Sequence, residues 1–462
     1  MMSLLHRTVA GIILVLLISS FCSVLSAEQG SLDSLIENKD TWSCSASDFS
    51  SVYSGLGFSF VDAGIMAKSN YENLTFLGFR VWEARFNFKE KKLSSVELSV
   101  YNKGDAGELN QITFKKNIEQ LCKKFQSLTG SRGITGKVSN DRANYFVNRR
   151  IWKHKGTSIQ AEWAFVKAHR SNRTAQPFRA EFIKILLTPL HRGSISGKAG
   201  GRPDWAKHVS GRILKKNIEQ NNAGDIWVAN VPMVDQGQKG YCAAASAERV
   251  LRYYGWQGDQ HEIAQLADTA AKGGTSLEGM VAAVAVVGKR YQLTDKMLVD
   301  PGGSRGFEKS EFNNMIKLYN RKAKPAKADE IDFLNFCEIL PNNVRMINTM
   351  SIFEAMDAEI LKAAKVGQKQ DFKRFQQNIL NYVKQGVPLF WACIVGKYPE
   401  NPDLGKKGAF GHIRLIIGIN PKEKELIYSD SWGPKHALKR MSLEDAWAMT
   451  FGMTVLKPRD VR

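Results

Sequence analysis

Val231-Pro232-Met233-Val234-Asp235-Gln236-Gly237-Gln238-Lys239-Gly240-Tyr241-Cys242 runs straight into the alanine-rich stretch 243–254. Two glycines break the first segment into a loop, while Ala247, Val250, Leu251 and Tyr254 of the second repeat at helical spacing. Gly255 closes that helix as a C-terminal cap. Cys242 is therefore expected at the first turn, where unpaired backbone N–H groups and the positive end of the dipole favour a thiolate. Gln236 precedes it across the loop, and its amide can fold back to donate to an oxyanion beside the Cys242 N–H. Gln238 is the rival donor, and spacing favours Gln236. Alone, the segment also allows a small core cysteine among alanines.

The company of Cys242 decides between these readings. Residues 386–395 form an apolar strand, 397–410 a Gly/Pro/Lys-rich loop, and 411–418 a second strand with His412 at its mouth. A charged turn follows, then Leu426-Ile427-Tyr428-Ser429-Asp430-Ser431-Trp432-Gly433. Two adjacent antiparallel strands bring His412 and Asp430 together. Asp430 can then hold one imidazole nitrogen while the other faces a thiol. The order Gln, Cys, His, Asp on loop, helix start, strand and strand is far more specific than any single member.

This arrangement resembles a papain-like cysteine peptidase: Gln-Gly, the nucleophile opening a central helix, then His, then an orienting residue before Ser-Trp-Gly. Papain itself uses Asn as orienter where Asp430 stands here, so Asp430→Asn is expected to be milder than His412→Ala. Within this fold the closer resemblance is to the bacteriocin-processing (double-glycine leader) peptidase-like family. Its motifs correspond to Val231–Gln236, the Cys242 helix, Gly274-Thr275-Ser276 leading to Met280, the strand from His412 to Gly418, and Asp430. The match covers roughly Trp227 to Pro458. Cys242 is followed by Ala243-Ala244, where that family commonly has glycine. The resemblance implies an α+β fold in which a helical lobe carrying Cys242 packs on an antiparallel sheet carrying His412 and Asp430. It implies catalysis by Cys242, His412 and Asp430 with Gln236 as oxyanion donor, and neither cofactor nor metal.

The rest of the 462 residues divides around this domain. Residues 1–27 have a weakly basic start, an apolar run and the small-residue end Leu25-Ser26-Ala27, the layout of a secretory signal peptide. Residues 28–190 read as a separate α+β domain of unassigned role. Its strands lie around 82–88, 96–100, 143–152, 158–166 and 178–187, with a helix at 114–128. The Gly/Ser/Arg-rich stretch 191–224 reads as a linker, and 225–462 as the peptidase domain. Within the latter, 289–383 is expected to be a helical insertion, with a surface loop at 321–327 around Pro325.

Hydrophobic residues at 43% and charged residues at 24% fit globular protein and exclude wholesale disorder. No stretch after residue 27 is long and apolar enough for a membrane span, which takes about 20 residues. The formal charge of +20 favours anionic surfaces, and the basic run Arg142, Arg149, Arg150, Lys153, Lys155, Lys167 and Arg170 marks residues 28–190 as the part to touch one. No nucleic-acid motif accompanies the charge, so nucleic acid is not an expected partner. Five cysteines would follow the signal peptide, leaving at least one free thiol in an oxidising compartment. Cys44 with Cys122 is a conceivable bridge, although Cys122 falls on an apolar helix face. The expected function is hydrolysis of peptide or protein substrates by a secreted or periplasmic cysteine peptidase. A non-catalytic peptide-binding module on the same fold and a thiol acyltransferase are the competing readings.

Overall fold

In the computed structural model the alternating stretches of the first half become one antiparallel sheet. The structure describes residues 30–462, apart from 39, 54–55, 63–65, 70–71, 138–144, 171–174, 191–210, 237–240, 256–262, 265–283, 286, 290–292, 301–310, 340–344, 404–407, 460 and 462. The signal peptide reading, Gln238, Arg142 and the motif at 274–280 fall outside the described residues. The chain separates into two units, Met1–Gly201 and Arg202–Arg462.

The first unit carries β1 (Ser59–Asp62), β2 (Met66–Ser69), β3 (Glu83–Lys89), β4 (Lys92–Asn102), α1 (Gln111–Thr129), β5 (Ile134–Lys137), β6 (Tyr145–His154), β7 (Thr157–Val166) and β8 (Arg179–Pro189). The strands order as β1-β2-β3-β4-β8-β7-β6-β5. Period-two alternation puts Ala84, Leu98, Ile185 and Ala161 in one cross-strand row, every member fully buried. Helix α1 buries Phe114, Leu121 and Phe125, and Phe125 packs 4.9 Å from the Trp152 ring. It starts earlier than the apolar pattern because Asn110 caps it, accepting from the Thr113 N–H at 2.9 Å. Alternation also sends charges to the opposite face, where they pair: Lys68 and Arg85 on Glu83, Arg149 and Lys184 on Glu162. Arg149 of the basic run is thus paired with a carboxylate. Cys44 and Cys122 are free thiols, so the conceivable bridge between them is not formed.

The second unit begins with the hairpin β9 (Ile218–Gln220) and β10 (Ile226–Val228), followed by α2 (Cys242–Tyr253). Next come β11 (Thr294–Val299), α3 (Glu311–Ala326), α4 (Thr349–Ala355), α5 (Ala358–Val366) and α6 (Lys369–Val383). The chain ends in β12 (Leu389–Val395), β13 (Phe410–Asn420), β14 (Glu425–Ser429), β15 (Lys439–Ser442), α7 (Leu443–Met449) and β16 (Thr450–Lys457). The main path is β9-β10-β13-β12-β16-β11, with β14 on the other edge of β13 and β15 on β14. All these pairs are antiparallel. Gly418 lets β10 cross β13, since a Cβ there would stand 2.7 Å from the Ile226 carbonyl oxygen.

Two expectations for 289–383 need correction. The segment is not a decoration: β11 pairs with β16, and Phe312, Met315, Ile316 and Tyr319 of α3 share one core with α2 and β12. Nor is 321–327 a loop. Helix α3 runs through Pro325 because its apolar face extends to Ala323, and a proline in the last turn removes only one donor near the helix end.

Every residue of β12 is buried. At its centre, Trp391 donates its Nε1–H to Thr450 Oγ1 at 2.8 Å and meets Tyr428 edge-on at 5.5 Å. Trp391→Ala is expected to cost about 3–5 kcal/mol, read as a lowered urea midpoint for the second unit. A midpoint shift worth under about 1 kcal/mol would show that the core closes over the gap.

Candidate active site

Helix α2 starts at Cys242, and its alanines let it lie close on β13, where the Ser246 hydroxyl donates to the Ile413 carbonyl at 3.4 Å. The turn after β14 delivers Asp430 beside His412 near the start of β13. His412 Nε2 and Asp430 Oδ1 are 2.8 Å apart, both residues being almost wholly buried. Trp432 stacks on the imidazole with centroids 4.0 Å apart and planes 11° from parallel. That indole shields the pair from water and fixes the ring plane. The backbone bend after Trp432 falls at Gly433 (φ +93°), where an added Cβ would stand 3.1 Å from Asp235 Oδ2.

The backbone N–H of Ile413, the residue after His412, works to lower the Cys242 thiol. The structure therefore brings the helix start and the histidine strand to one place. Gln236 joins them through Ser431: its N–H donates to the Ser431 carbonyl at 2.8 Å, and its Oε1 accepts from the Ser431 hydroxyl at 2.7 Å. With Oε1 held this way, the amide's donor end is the one turned away from Ser431.

Two partners of Asp430 were not singled out in the sequence. Arg414 Nε lies 3.0 Å from its Oδ1 and Lys439 Nζ 3.5 Å from its Oδ2. Burial works to raise the Asp430 carboxyl, but Arg414, His412 and Lys439 outweigh it and hold the group well below the usual range. A third buried cation, Arg249, reaches from α2 to the Pro232 carbonyl (2.7 Å), the Asp430 carbonyl (2.9 Å) and the Ser429 hydroxyl (2.5 Å). One side chain thus ties the loop before Cys242 to the turn bearing Asp430.

Residues 342–454 match the profile of the Peptidase_C39 like family. The C-terminal part of the chain is thus similar to C39-like peptidases. The matched segment contains His412 and Asp430, while Gln236 and Cys242 lie upstream of it. Among solved structures, the peptidase domain of Streptococcus ComA, a bi-functional ABC transporter involved in a quorum sensing pathway, is similar at 14% identity and a TM-score of 0.24. That similarity covers 50% of this chain and 100% of the other. No curated protein matches the sequence.

The second unit departs from the sequence expectation at the sulfur. A helix start was expected to favour thiolate, yet Cys242 is only 3% exposed, and burial pushes its thiol up to about 11. Backbone N–H groups lower it, but desolvation of the charged form wins. Burial likewise lowers the His412 imidazole, against the pull of Asp430. Burial thus favours the uncharged form of both groups.

Proposed function

We propose that the protein is an exported cysteine peptidase that hydrolyses peptide bonds through Cys242, His412, Asp430 and Gln236. The observation that carries this reading is the shielded His412–Asp430 pair on the strand against which the helix opened by Cys242 is hydrogen-bonded. Asp430 takes Nε2, so Nδ1 is the nitrogen that receives the thiol proton as sulfur attacks the peptide carbonyl. The carbonyl oxygen becomes an oxyanion, to which the Gln236 amide and the Cys242 N–H donate. Collapse expels the amine, which takes its proton from His412, and a water deprotonated by the same imidazole clears the thioester. Export to a secreted or periplasmic location rests on residues 1–27, and peptides or proteins are the substrates.

The pH dependence follows from the His412 shift. General-base catalysis needs the neutral imidazole, so activity falls as pH drops through the His412 pKa, which lies below the ordinary value of about 6.5. Hydrolysis of unfolded casein by the purified chain is expected to show an acid limb below pH 6.5. It should also be abolished by a thiol-alkylating reagent. Absence of thiol-sensitive hydrolysis at any pH from 5 to 9 would remove the peptidase reading.

A further inference from the structure

Asp430 is one corner of a four-ion cluster drawn from four separate segments. Glu400 enters from the loop after β12, Arg414 from β13, Asp430 from the end of β14, and Lys439 from the start of β15. Arg414 lies 2.9 Å from Glu400, and Lys439 lies 2.7 Å from Glu400 Oε2, which also accepts from the Tyr428 hydroxyl at 2.9 Å. None of the four side chains is more than 2% exposed. Two carboxylates and two cations cancel. A plain orienting hydrogen bond does not require this: one neutral amide would hold an imidazole without burying four charges, each costly to desolvate.

We propose that the charge balance of Glu400, Arg414, Asp430 and Lys439 sets the proton affinity of His412. Glu400 and Lys439 are then positioning residues that act on the imidazole through Asp430. This rests on the peptidase reading for its catalytic meaning, but not for its physics. In a water-free region an unbalanced charge is felt over several ångströms, because little screens it. Deleting the carboxylate of Glu400 leaves net positive charge beside His412 and disfavours the imidazolium. Deleting the ammonium of Lys439 leaves net negative charge and favours it. Other groups near His412 are the Cys393 thiol on its carbonyl at 3.7 Å, and His436 edge-on to the stacked Trp432 at 5.8 Å. Arg249 sits on the Asp430 carbonyl, and Glu248 is paired with Arg252 on the same helix. These are common to every variant below, so differences between variants isolate the cluster.

The test is a proton-carbon NMR titration of full-length protein with 13C-labelled histidine, the His412 signal being assigned by its loss in His412→Asn. Glu400→Gln is expected to lower the His412 pKa by about one unit and Lys439→Met to raise it by about as much. The double variant Glu400→Gln/Lys439→Met restores neutrality and is expected to return within about 0.3 units of the parent. Where His412 does not titrate before the chain unfolds, or a single variant is too unstable, urea midpoints at pH 7 are compared instead. The double variant should then be more stable than either single one. Single variants that shift His412 in the same direction or not at all, or a double variant that fails to recover, overturn the proposal. The casein acid limb is followed in parallel. Opposed NMR shifts without any hydrolysis would leave the charge balance standing and fail the peptidase reading alone.

Discussion

Cys242→Ala is expected to abolish casein hydrolysis, leaving no turnover above background, while the protein stays folded. The substitution removes one sulfur atom from a buried helix start among Ala243, Ala244 and Ala245, so the loss of packing is small. His412→Ala should be nearly as severe, and the double variant no worse than either single one. Nucleophile and base act as a unit, so their losses do not add. The measurements are initial rates on casein and thermal unfolding midpoints of all three variants. Residual hydrolysis in Cys242→Ala at a tenth of the parent rate would mean that another group attacks the carbonyl.

Asp430→Asn is expected to be almost as damaging, which reverses the expectation drawn from papain's own use of asparagine. The difference is the surroundings. Asn accepts from the imidazole as Asp does, but it leaves Arg414 and Lys439 to share the Glu400 carboxylate. Breaking a buried ion pair from one side costs about 3–5 kcal/mol. Loss of the carboxylate that holds a catalytic imidazole can cost on the order of 10⁴ in kcat. The expected result is therefore a fall of at least about a thousandfold in kcat with a clearly lowered urea midpoint. Adding Lys439→Met to Asp430→Asn should recover stability by removing the stranded ammonium. A single Asp430→Asn variant within tenfold of the parent rate would show that Arg414 and Lys439 do not need the charge.

The low His412 pKa also bears on stability. The unfolded imidazole binds its proton at a higher pH than the folded one, so the folded state loses ground as pH falls below about 6.5. Asp430 adds to this at lower pH, since its folded carboxyl stays ionised where the unfolded one is protonated. Both contributions are complete above about pH 7, and both weaken the fold in acid.

The sequence by itself determined whatever depends on short-range periodicity. Alternation at Ala84, Phe86 and Phe88 and at Val96 and Leu98 was enough for β3, β4 and the buried face of the first sheet. Helical spacing after a glycine-broken loop located Cys242 at the start of α2, and the apolar runs around His412 and before Asp430 became adjacent strands. Tertiary structure decided what depends on surroundings. Arg414 and Lys439 look like solvated surface charges in sequence, because nothing local says that Tyr428 and Trp432 will enclose them. The state of the Cys242 sulfur was missed for the same reason: a helix start lowers a thiol pKa, but the strand packed over it removes water, and desolvation is the larger effect. Backbone periodicity is written residue by residue along the chain, whereas the dielectric around a charge is set by segments that meet only after folding.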